Sequence, residues 1–335
     1  MLFDREIFGE DHDIFRQSVR KFMEREVVPH HERWEKQGQI DREAWTKAGQ
    51  AGLLCPNLPE EYGGPGADFL YSTIVIEELA YVGATGPGFS LHSDIVAPYI
   101  LHHGSEDLKR KWLPKFVSGE TIGAIAMTEP GTGSDLQGVK TTAVKDGNHL
   151  VINGSKTFIT NGQLADLVVV VTKTDEQAGA KGISLVLVET DREGFSRGRN
   201  LDKIGLKAQD TSELFFDDVK VPATNMLGDE GQGFAYLMQE LPQERLQVGI
   251  AAVAACEAAL KWTIEYTKER QAFGKPIAEF QNSRFKLAEM KTETRIARVF
   301  LDDCLTKHTN GGLDVETAAM AKWWTTDLQC KVIDQ

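Results

Sequence analysis

Hydrophobic patterning divides the chain into three zones, and this division limits the possible folds more than any other feature of the sequence. From Asp11 to about Ser118, apolar residues recur mostly at steps of three and four, the period of a helix that buries one face. From Thr121 to about Met226, short β-rich runs are separated by Gly, Asn and Asp, and helical patterns return after "LGDEGQGF". The sequence therefore predicts an α+β protein with an N-terminal helical domain (1–120), a middle antiparallel β-barrel or β-sheet domain (121–226) and an incomplete C-terminal helical bundle (227–335).

The middle zone favours antiparallel pairing because few helical patterns separate its strands. Asn-Gly pairs at 153–154 and 161–162 are strong signals for hairpin turns. The segment "AMTEPGTGSDLQG" (126–138) is predicted to leave a strand and to turn through Pro130 and two glycines. Exposed backbone N–H groups and hydroxyls there suit a ligand rich in carbonyls, ring nitrogens or phosphates. By themselves, however, the glycines are explained better by a plain β-turn.

The third zone contains an acidic residue, Glu244, where a long apolar helix is predicted to begin. Pro242 suits the first turn of a helix, and the helix is expected to stop near Gly274. A carboxylate in the first turn is favoured by the helix dipole by about 0.3–1 kcal/mol, so this stretch does not by itself indicate catalysis. The predicted buried face comprises Leu246, Ile250, Val253, Cys256, Leu260 and Ile264, and Glu244 lies on another face above Val248, Ala251, Ala255 and Ala259. The small side chains of that second face leave room for a bulky ligand.

Composition excludes several classes of partner. The 335 residues carry a formal charge of −13, whereas nucleic-acid binders concentrate basic charge. The histidines and the four cysteines lack metal-ligand spacing, so no metal site is predicted. Cys256 and Cys304 lie in helical patterns, where buried free thiols are the default, and this fits a reducing compartment. The N-terminus is acidic, unlike a signal peptide, and no apolar run approaches the ~20 residues that span a bilayer. We therefore expect a soluble intracellular protein without integral membrane contact.

Several segments, in this order along the chain, resemble signatures of the acyl-CoA dehydrogenase family of flavoproteins. They are "AMTEPGTGSD", "NGSKTFITNG", "KIGLKAQDTSELFFDDVKVP", "ERQAFGKPIAEFQ" and "AEMKTETRIAR". The resemblance runs from the first residue to the last. It is strongest to the long-chain acyl-CoA dehydrogenases, because of "LPQERL", "GLKAQDT" and the opening "FDREIFGEDHDIF".

The resemblance implies a fold, a cofactor and a reaction. The fold is the helical–β–helical arrangement given above, the cofactor is FAD, and the assembly is a homotetramer built as a dimer of dimers. The reaction is the α,β-dehydrogenation of a fatty acyl-CoA of medium to long chain to trans-2-enoyl-CoA in β-oxidation. A hydride passes to flavin N5, and electron-transferring flavoprotein is the acceptor. The expected compartment is the cytoplasm of a bacterium, or the mitochondrial matrix for a processed eukaryotic form.

The resemblance also assigns roles to residues by their positions in the motifs. Thr160 would place its hydroxyl near flavin N5, and Ser134 would touch both the flavin and the acyl-CoA. Arg270 and Gln281 would reach the FAD of a neighbouring subunit. The implied FAD-binding residues are Ile125, Ala126, Met127, Thr128, Gly131, Thr132, Gly133, Ser134, Phe158, Ile159, Thr160, Arg270, Phe273 and Gln281. The implied substrate-binding residues are Ser134, Tyr236, Pro242, Gln243, Glu244 and Arg245.

Glu244 is the catalytic base that the resemblance implies. Desaturation of an acyl thioester removes a proton from a weakly acidic Cα–H, so a base must be placed against it. A free Glu titrates near ~4.3, and burial beside an apolar acyl chain would raise that pKa toward neutrality. Most of the family carry this Glu on a loop near the C-terminus, whereas the long-chain and isovaleryl branches carry it on the helix, at the position of Glu244.

The end of the chain and two rival functions complete the expectations. Family members usually continue for a few dozen residues beyond the position of Gln335, and no stop signal follows the last predicted helix. Weak FAD retention and low activity are therefore expected of a polypeptide that ends there. Two alternatives stay open: an acyl-CoA oxidase that passes electrons to oxygen, and a truncated, non-catalytic scaffold that binds acyl-CoA or flavin.

Overall fold

The computed structural model describes residues 3 and 5–335. Met1, Leu2 and Asp4, which belong to the predicted N-terminal domain and to the opening motif, lie outside the described residues. The chain separates into two compact units. The helical unit comprises Met1–Arg25, Asp68–Ala84 and Pro242–Gln335, and the sheet unit comprises Glu26–Ala67 and Thr85–Leu241. The predicted division into three domains stays a prediction.

Helices and strands occur in the order that the texture of the sequence predicts. The helices are α1 (Glu10–Phe22), α2 (Val28–Gln37), α3 (Arg42–Gln50), α4 (Phe69–Tyr81), α5 (Ala97–His103), α6 (Glu106–Ser118), α7 (Gly233–Glu269), α8 (Gln281–Thr309) and α9 (Val315–Asp334), with π-helical turns at Met23–Val27 and Leu91–Val96. The strands are β1 (Gly123–Ala126), β2 (Thr142–Asp146), β3 (His149–Thr160), β4 (Leu167–Lys173), β5 (Ile183–Glu189), β6 (Phe195–Asn200), β7 (Thr211–Pro222), β8 (Met226–Leu227), β9 (Gln271–Ala272) and β10 (Lys275–Pro276).

The sheet unit is built around a mixed sheet in the order β6-β7-β3-β2-β4-β5-β8, with β1 paired to β4. Most neighbouring strands are antiparallel as predicted, but β1 and β2 both run parallel to β4. β4 begins with five consecutive apolar residues, 167–171, whose alternate side chains enter different cores. Leu167 and Val169 pack with Tyr99 and Phe116 of the helices, whereas Val168 packs with residues of β3. Apolar side chains therefore cover both faces of this strand.

The helical unit has its own apolar core, formed by α4, α7, α8 and α9. Ile264 of the predicted buried face is only partly buried, whereas Leu246, Ile250, Val253, Cys256 and Leu260 are each 0% exposed, as predicted. They pack with residues of α4, α8 and α9, among them Phe69, Leu301 and Leu328.

The predicted start of the long helix is wrong. α7 begins at Gly233, and Pro242 lies inside it. An internal proline removes one backbone N–H and costs about 3 kcal/mol or more, so the burial of the helix in both units has to offset this cost. The helix ends at Glu269, before the predicted Gly274. The helix dipole therefore does not explain Glu244, because its effect falls off within the first turn.

The two Asn-Gly signals in the middle zone have different outcomes. Asn161 has φ +62 and begins a turn directly after β3, as predicted, although β3 and β4 do not pair as a hairpin. The pair at 153–154 is not a turn, because it lies within β3 at an irregularity of the pairing with β7. Gly154 is required there by space as well as by its φ of +151, since a Cβ would lie 2.4 Å from Thr141 Oγ1. A bulge in a strand and a hairpin thus carry the same local signal.

Among the described residues, one helix is long and apolar enough, by length and composition alone, to cross a membrane. This helix is α7, and 56% of its most apolar window is buried within the described residues. The expectation that no apolar run approaches such a length therefore has one exception. A core helix passes the same test.

Candidate active site

The loop after β1 forms the tight turn that its sequence predicts. Glu129 N–H donates to Thr132 O at 2.9 Å, and Thr132 N–H donates back to Glu129 O at 3.1 Å. The Thr132 hydroxyl donates to Gly138 O at 3.0 Å, which fixes the far side of the loop. Pro130 and Gly131 form the exposed tip. This loop, residues 127–134, is called the β1 loop below.

The exposed part of the β1 loop presents backbone groups and a side-chain hydroxyl that a ligand could contact. A Cβ added at Gly131 or Gly133 would meet no atom within 4 Å, so both backbones are open to a ligand. Ser134 is exposed as well. By contrast, the side chains of Ile125 and Ala126 are buried in β1, so these two residues can reach a ligand only through their backbone.

The end of β3 presents an aromatic ring beside the β1 loop. Phe158 has φ +60 and is 66% exposed, while Ile159 is 2% exposed. Pairing with β7 is irregular between Lys156 and Ile159, and the irregularity turns Phe158 outward. A bulky residue at positive φ is strained, and such strain clusters at functional sites. Thr160 is half-buried at the end of the strand.

Lys156 and Glu129, which sequence reasoning missed, hold the β1 loop and the end of β3 together. Lys156 Nζ donates to Met127 O at 3.0 Å and to Glu129 Oε1 at 2.9 Å. The next residue along β3, Thr157, donates its N–H to Thr128 O at 2.9 Å. Strand alternation carried a signal for the burial of Lys156, because this residue shares its face of β3 with the buried Ile152.

Burial and charge both change the pKa values of Lys156 and Glu129. Burial lowers the pKa of Lys156 to about 8, although the neighbouring carboxylate opposes the change. Burial raises the pKa of Glu129, but the Lys156 charge and hydrogen bonds from Thr141 and Lys140 outweigh it, so the net pKa is lowered. Glu129 therefore stays ionised near neutral pH.

The predicted substrate residues Pro242, Gln243, Glu244 and Arg245 form one turn of α7, and all four are half-buried. His308 Nε2 donates to Gln243 Oε1 at 3.1 Å, and the His308 ring packs edge-on against Phe69. Below Glu244 on the same face, Val248 is 38% exposed. The face continues with the half-buried Ala251, Ala255 and Ala259. The side chains of this face, which were predicted to leave room for a ligand, are thus partly exposed. By contrast, Leu246 and Ile250 of the apolar face are fully buried.

The remaining predicted FAD residues of the third zone lie around the connection between α7 and α8. Arg270 and Gln281 are exposed, and Phe273 is 96% exposed with φ +51. The short β9–β10 hairpin holds Phe273 at its tip, where Lys275 Nζ lies 4.6 Å from the centre of the Phe280 ring. An aromatic ring and cations thus protrude together at this end of the helical unit.

Tyr236, the last of the predicted substrate residues, is engaged within the sheet unit. Its ring stacks on His103 with centroids 3.9 Å apart, and its hydroxyl accepts from Asp229 N–H at 3.1 Å. Contact with a substrate would therefore use the edge of a ring that is already held in place.

Comparison with known proteins places the chain in a family. The N-terminal, middle and C-terminal domain models of acyl-CoA dehydrogenases match residues 9–120, 124–219 and 231–335. The mitochondrial long-chain specific acyl-CoA dehydrogenase of Mus musculus is 54% identical over 330 residues, which cover 98% of this chain and 77% of that protein. The crystal structure of an acyl-CoA dehydrogenase from Geobacillus kaustophilus matches with a TM-score of 0.96 and 54% identity, covering 98% of this chain and 87% of that one. A glutaryl-CoA dehydrogenase from Mycobacterium smegmatis in complex with FADH2 matches with a TM-score of 0.89 and 30% identity, covering 97% and 83%.

The chain therefore belongs to the acyl-CoA dehydrogenase family. It is an enzyme, an acyl-CoA dehydrogenase, and its similarity to long-chain specific members confirms the resemblance stated from the motifs. The predicted fold class, with a sheet domain between helical domains, is confirmed as well.

The residues of the β1 loop and the end of β3 fit FAD, the cofactor of this family. The exposed ring of Phe158 offers an apolar face to a planar heterocycle. The open backbones of Gly131 and Gly133 and the exposed Ser134 offer polar groups to its edge or to a phosphate.

Proposed function

We propose that the protein oxidises medium- to long-chain fatty acyl-CoA to trans-2-enoyl-CoA in β-oxidation, with Glu244 as the base that removes the Cα proton. The observation that carries this assignment is the position of Glu244, half-buried on α7 above a partly uncovered face of small side chains. An acyl thioester needs such a face to approach the helix closely. The long-chain specificity is supported by the identity to long-chain relatives.

The chain's own residues then divide the work. Glu244 Oε takes the proton from Cα, and its helical position holds the carboxylate in place through the reaction. Gln243, held by His308, and Pro242 fix the same turn against the substrate. Arg245 and Tyr236 border the acyl-CoA, and Ser134 contacts both the acyl-CoA and the cofactor. FAD, when bound, supplies the acceptor for the hydride that leaves Cβ.

Two groups of residues are proposed to bind FAD. In the sheet unit these would be the backbones of Ile125 and Ala126, the β1 loop, and Phe158 to Thr160, whose threonine hydroxyl would serve the flavin. In the helical unit Arg270, Phe273 and Gln281 protrude, and we propose that they reach the FAD of a neighbouring subunit in a homotetramer. Electron-transferring flavoprotein is the proposed acceptor. We propose a bacterial cytoplasm or a mitochondrial matrix as the compartment, and this is supported by similarity to a Geobacillus kaustophilus protein and to a mitochondrial one.

Anaerobic titration of the FAD-loaded protein with acyl-CoAs of graded length tests the proposal. Wild type is expected to lose its flavin absorbance most readily with medium to long chains. Glu244→Gln is expected to slow flavin reduction by roughly 100- to 10,000-fold, because a positioned general base contributes about this much, while acyl-CoA binding is retained. Glu265→Gln is the matched control, since Glu265 is an exposed residue of the same helix.

Two outcomes would contradict the proposal. Equal reduction rates in wild type and Glu244→Gln would remove Glu244 from the mechanism, and no reduction of wild type by any chain length would indicate a non-catalytic scaffold. The rate of reoxidation in air, compared with that by electron-transferring flavoprotein, separates a dehydrogenase from an oxidase.

A further inference from the structure

A buried ion pair lies beneath the two segments of the sheet unit that are proposed to contact FAD. The Lys156 side chain is 0% exposed and that of Glu129 is 6% exposed, and Nζ and Oε1 are 2.9 Å apart. An apolar pair of similar volume would generally be as stable or more stable in such a place, because two charges lose their hydration on burial. Stability is therefore a weak explanation for this pair.

The contacts of Lys156 follow the β1 loop residue by residue. Its ammonium group binds the carbonyl of Met127 and the carboxylate of Glu129, and the intervening carbonyl of Thr128 accepts from Thr157 N–H. Three consecutive loop residues are thus fixed to two consecutive residues of β3. The next residue of β3 is Phe158, the exposed ring at positive φ.

Glu129 extends these contacts to a third segment. Its Oε2 accepts from Lys140 N–H at 2.7 Å and its Oε1 from Thr141 N–H at 2.9 Å, just before β2 begins. Its backbone meanwhile closes the turn with Thr132. The Glu129 carboxylate therefore ties the β1 loop to the segment that enters β2, and the Lys156 ammonium group joins that loop to the strand that presents Phe158.

We infer that Lys156, with Glu129 as its partner, is a positioning residue that sets the distance between the β1 loop and Phe158 and so shapes the flavin site. This inference rests on the proposed function, because it takes those two segments as the FAD contacts. Lys156 acts through the Met127 carbonyl and through Glu129. It touches neither FAD nor substrate.

Three variants in the full-length protein separate positioning from stability. Lys156→Met leaves Glu129 buried without its cation, and Glu129→Gln leaves Lys156 without its anion, so both are expected to unfold at lower temperature. Lys156→Met/Glu129→Gln removes both charges and keeps similar volumes, so its apoprotein is expected to melt above both single variants, although backbone groups around the pair lose hydrogen bonds. Lys220→Met is the matched control, because Lys220 forms an exposed ion pair on β7 of the same unit.

The readouts are the dissociation constant of FAD, the visible spectrum of the bound flavin, and hydrogen exchange of the loop amides in apoprotein. In the double variant we expect FAD to bind about 10- to 100-fold more weakly, the range seen at metal sites when a partner that orients a ligand is removed. We also expect a shifted flavin spectrum and faster exchange at residues 131–134. The control is expected to match wild type in all three.

Several results would overturn the inference. FAD affinity within twofold of wild type in the double variant would do so, as would losses of affinity that only follow the melting temperature across the series. If wild type itself does not bind FAD, the proposed function fails, and exchange in the apoprotein then decides alone. Faster loop exchange in the double variant supports positioning, and unchanged exchange overturns it.

Discussion

The helical unit and the sheet unit bury charge in different ways. In the helical unit, Glu77 accepts from Arg5 at 2.6 Å, from Arg16 at 2.8 Å and from Arg298 at 2.9 Å, so side chains bind side chains. In the sheet unit, Lys156 and Glu129 bind each other, and they also bind the Met127 carbonyl of the β1 loop and the backbone N–H groups just before β2. The first arrangement joins whole helices, whereas the second fixes the path of a loop. Buried charge therefore serves packing in one unit and the shape of the candidate site in the other.

The network of the helical unit depends on a balance of opposite charges. Burial raises the pKa of Glu77, but Arg298, Arg5 and Arg16 outweigh this effect and lower the pKa to about 2. Arg298 also donates through Nε to Glu257 Oε1 at 2.7 Å. These contacts tie α4, α7 and α8 together through one fully buried guanidinium group.

The largest effect is expected from Arg298→Met. This change leaves Glu257 without its guanidinium partner and Glu77 with two arginines instead of three, so we expect a loss of about 3–5 kcal/mol in the free energy of unfolding. Urea unfolding of the apoprotein measures it. Adding Glu257→Gln should recover part of the loss, because one stranded charge is then removed. A loss below about 1 kcal/mol would show that this network contributes little to packing and would break the comparison between the units.

A second test concerns a contact of the sheet unit that again joins a side chain to backbone. His92 Nε2 donates to Phe116 O at 3.1 Å, and its Nδ1 accepts from Gly123 N–H at 3.0 Å, directly where β1 begins. This pattern requires the neutral ring. Burial lowers the pKa of His92 to about 4, although the bond to Phe116 opposes the change.

His92 should therefore make the protein sensitive to acid. Between about pH 6.5 and 4 the unfolded chain binds a proton at this residue that the folded chain does not, so stability falls as pH falls through that window. The difference in pKa corresponds to roughly 3 kcal/mol when complete. Urea unfolding at several pH values should show a smaller acid slope in His92→Gln, and the exposed His149→Gln serves as control. An unchanged slope in His92→Gln would contradict this assignment.

These cases show which parts of the molecule the sequence could predict. Period and texture were enough for the zones, for the buried face of α7 and for the turn of the β1 loop, because local hydrogen bonds and burial determine those features. The start of α7 was missed because a proline suits a first turn locally, while the cost inside a helix is offset by packing that only the fold reveals. Lys156 and Glu129 were missed because their pairing joins two separate motifs.

The smallest effect is expected at a half-exposed cluster in the sheet unit, where side chains bind only each other as in the helical unit. His102 Nδ1 donates to Glu240 Oε1 at 2.7 Å, and His103 Nε2 lies 3.3 Å from the same oxygen but outside hydrogen-bond geometry. Burial raises the pKa of Glu240, yet the two histidines outweigh it and lower the pKa to about 2. The hydrogen bond to Glu240 raises the pKa of His102.

The two shifts place this contribution in one pH window. The share of Glu240 is present above about pH 4.5 and is lost as pH falls toward 2. The share of His102 is present below about pH 6.5 and is lost as pH rises through its raised pKa. Glu240→Gln should therefore cost most between these values. We expect about 1 kcal/mol, because the exposure of His102 screens the pair. His102→Gln should cost about the same and the double variant little more, as measured by urea unfolding at pH 5.5 and 8.5. Equal costs at both pH values would show that packing rather than charge holds this cluster, and would leave the helical unit as the part of the described chain where buried side-chain pairs stabilise the fold.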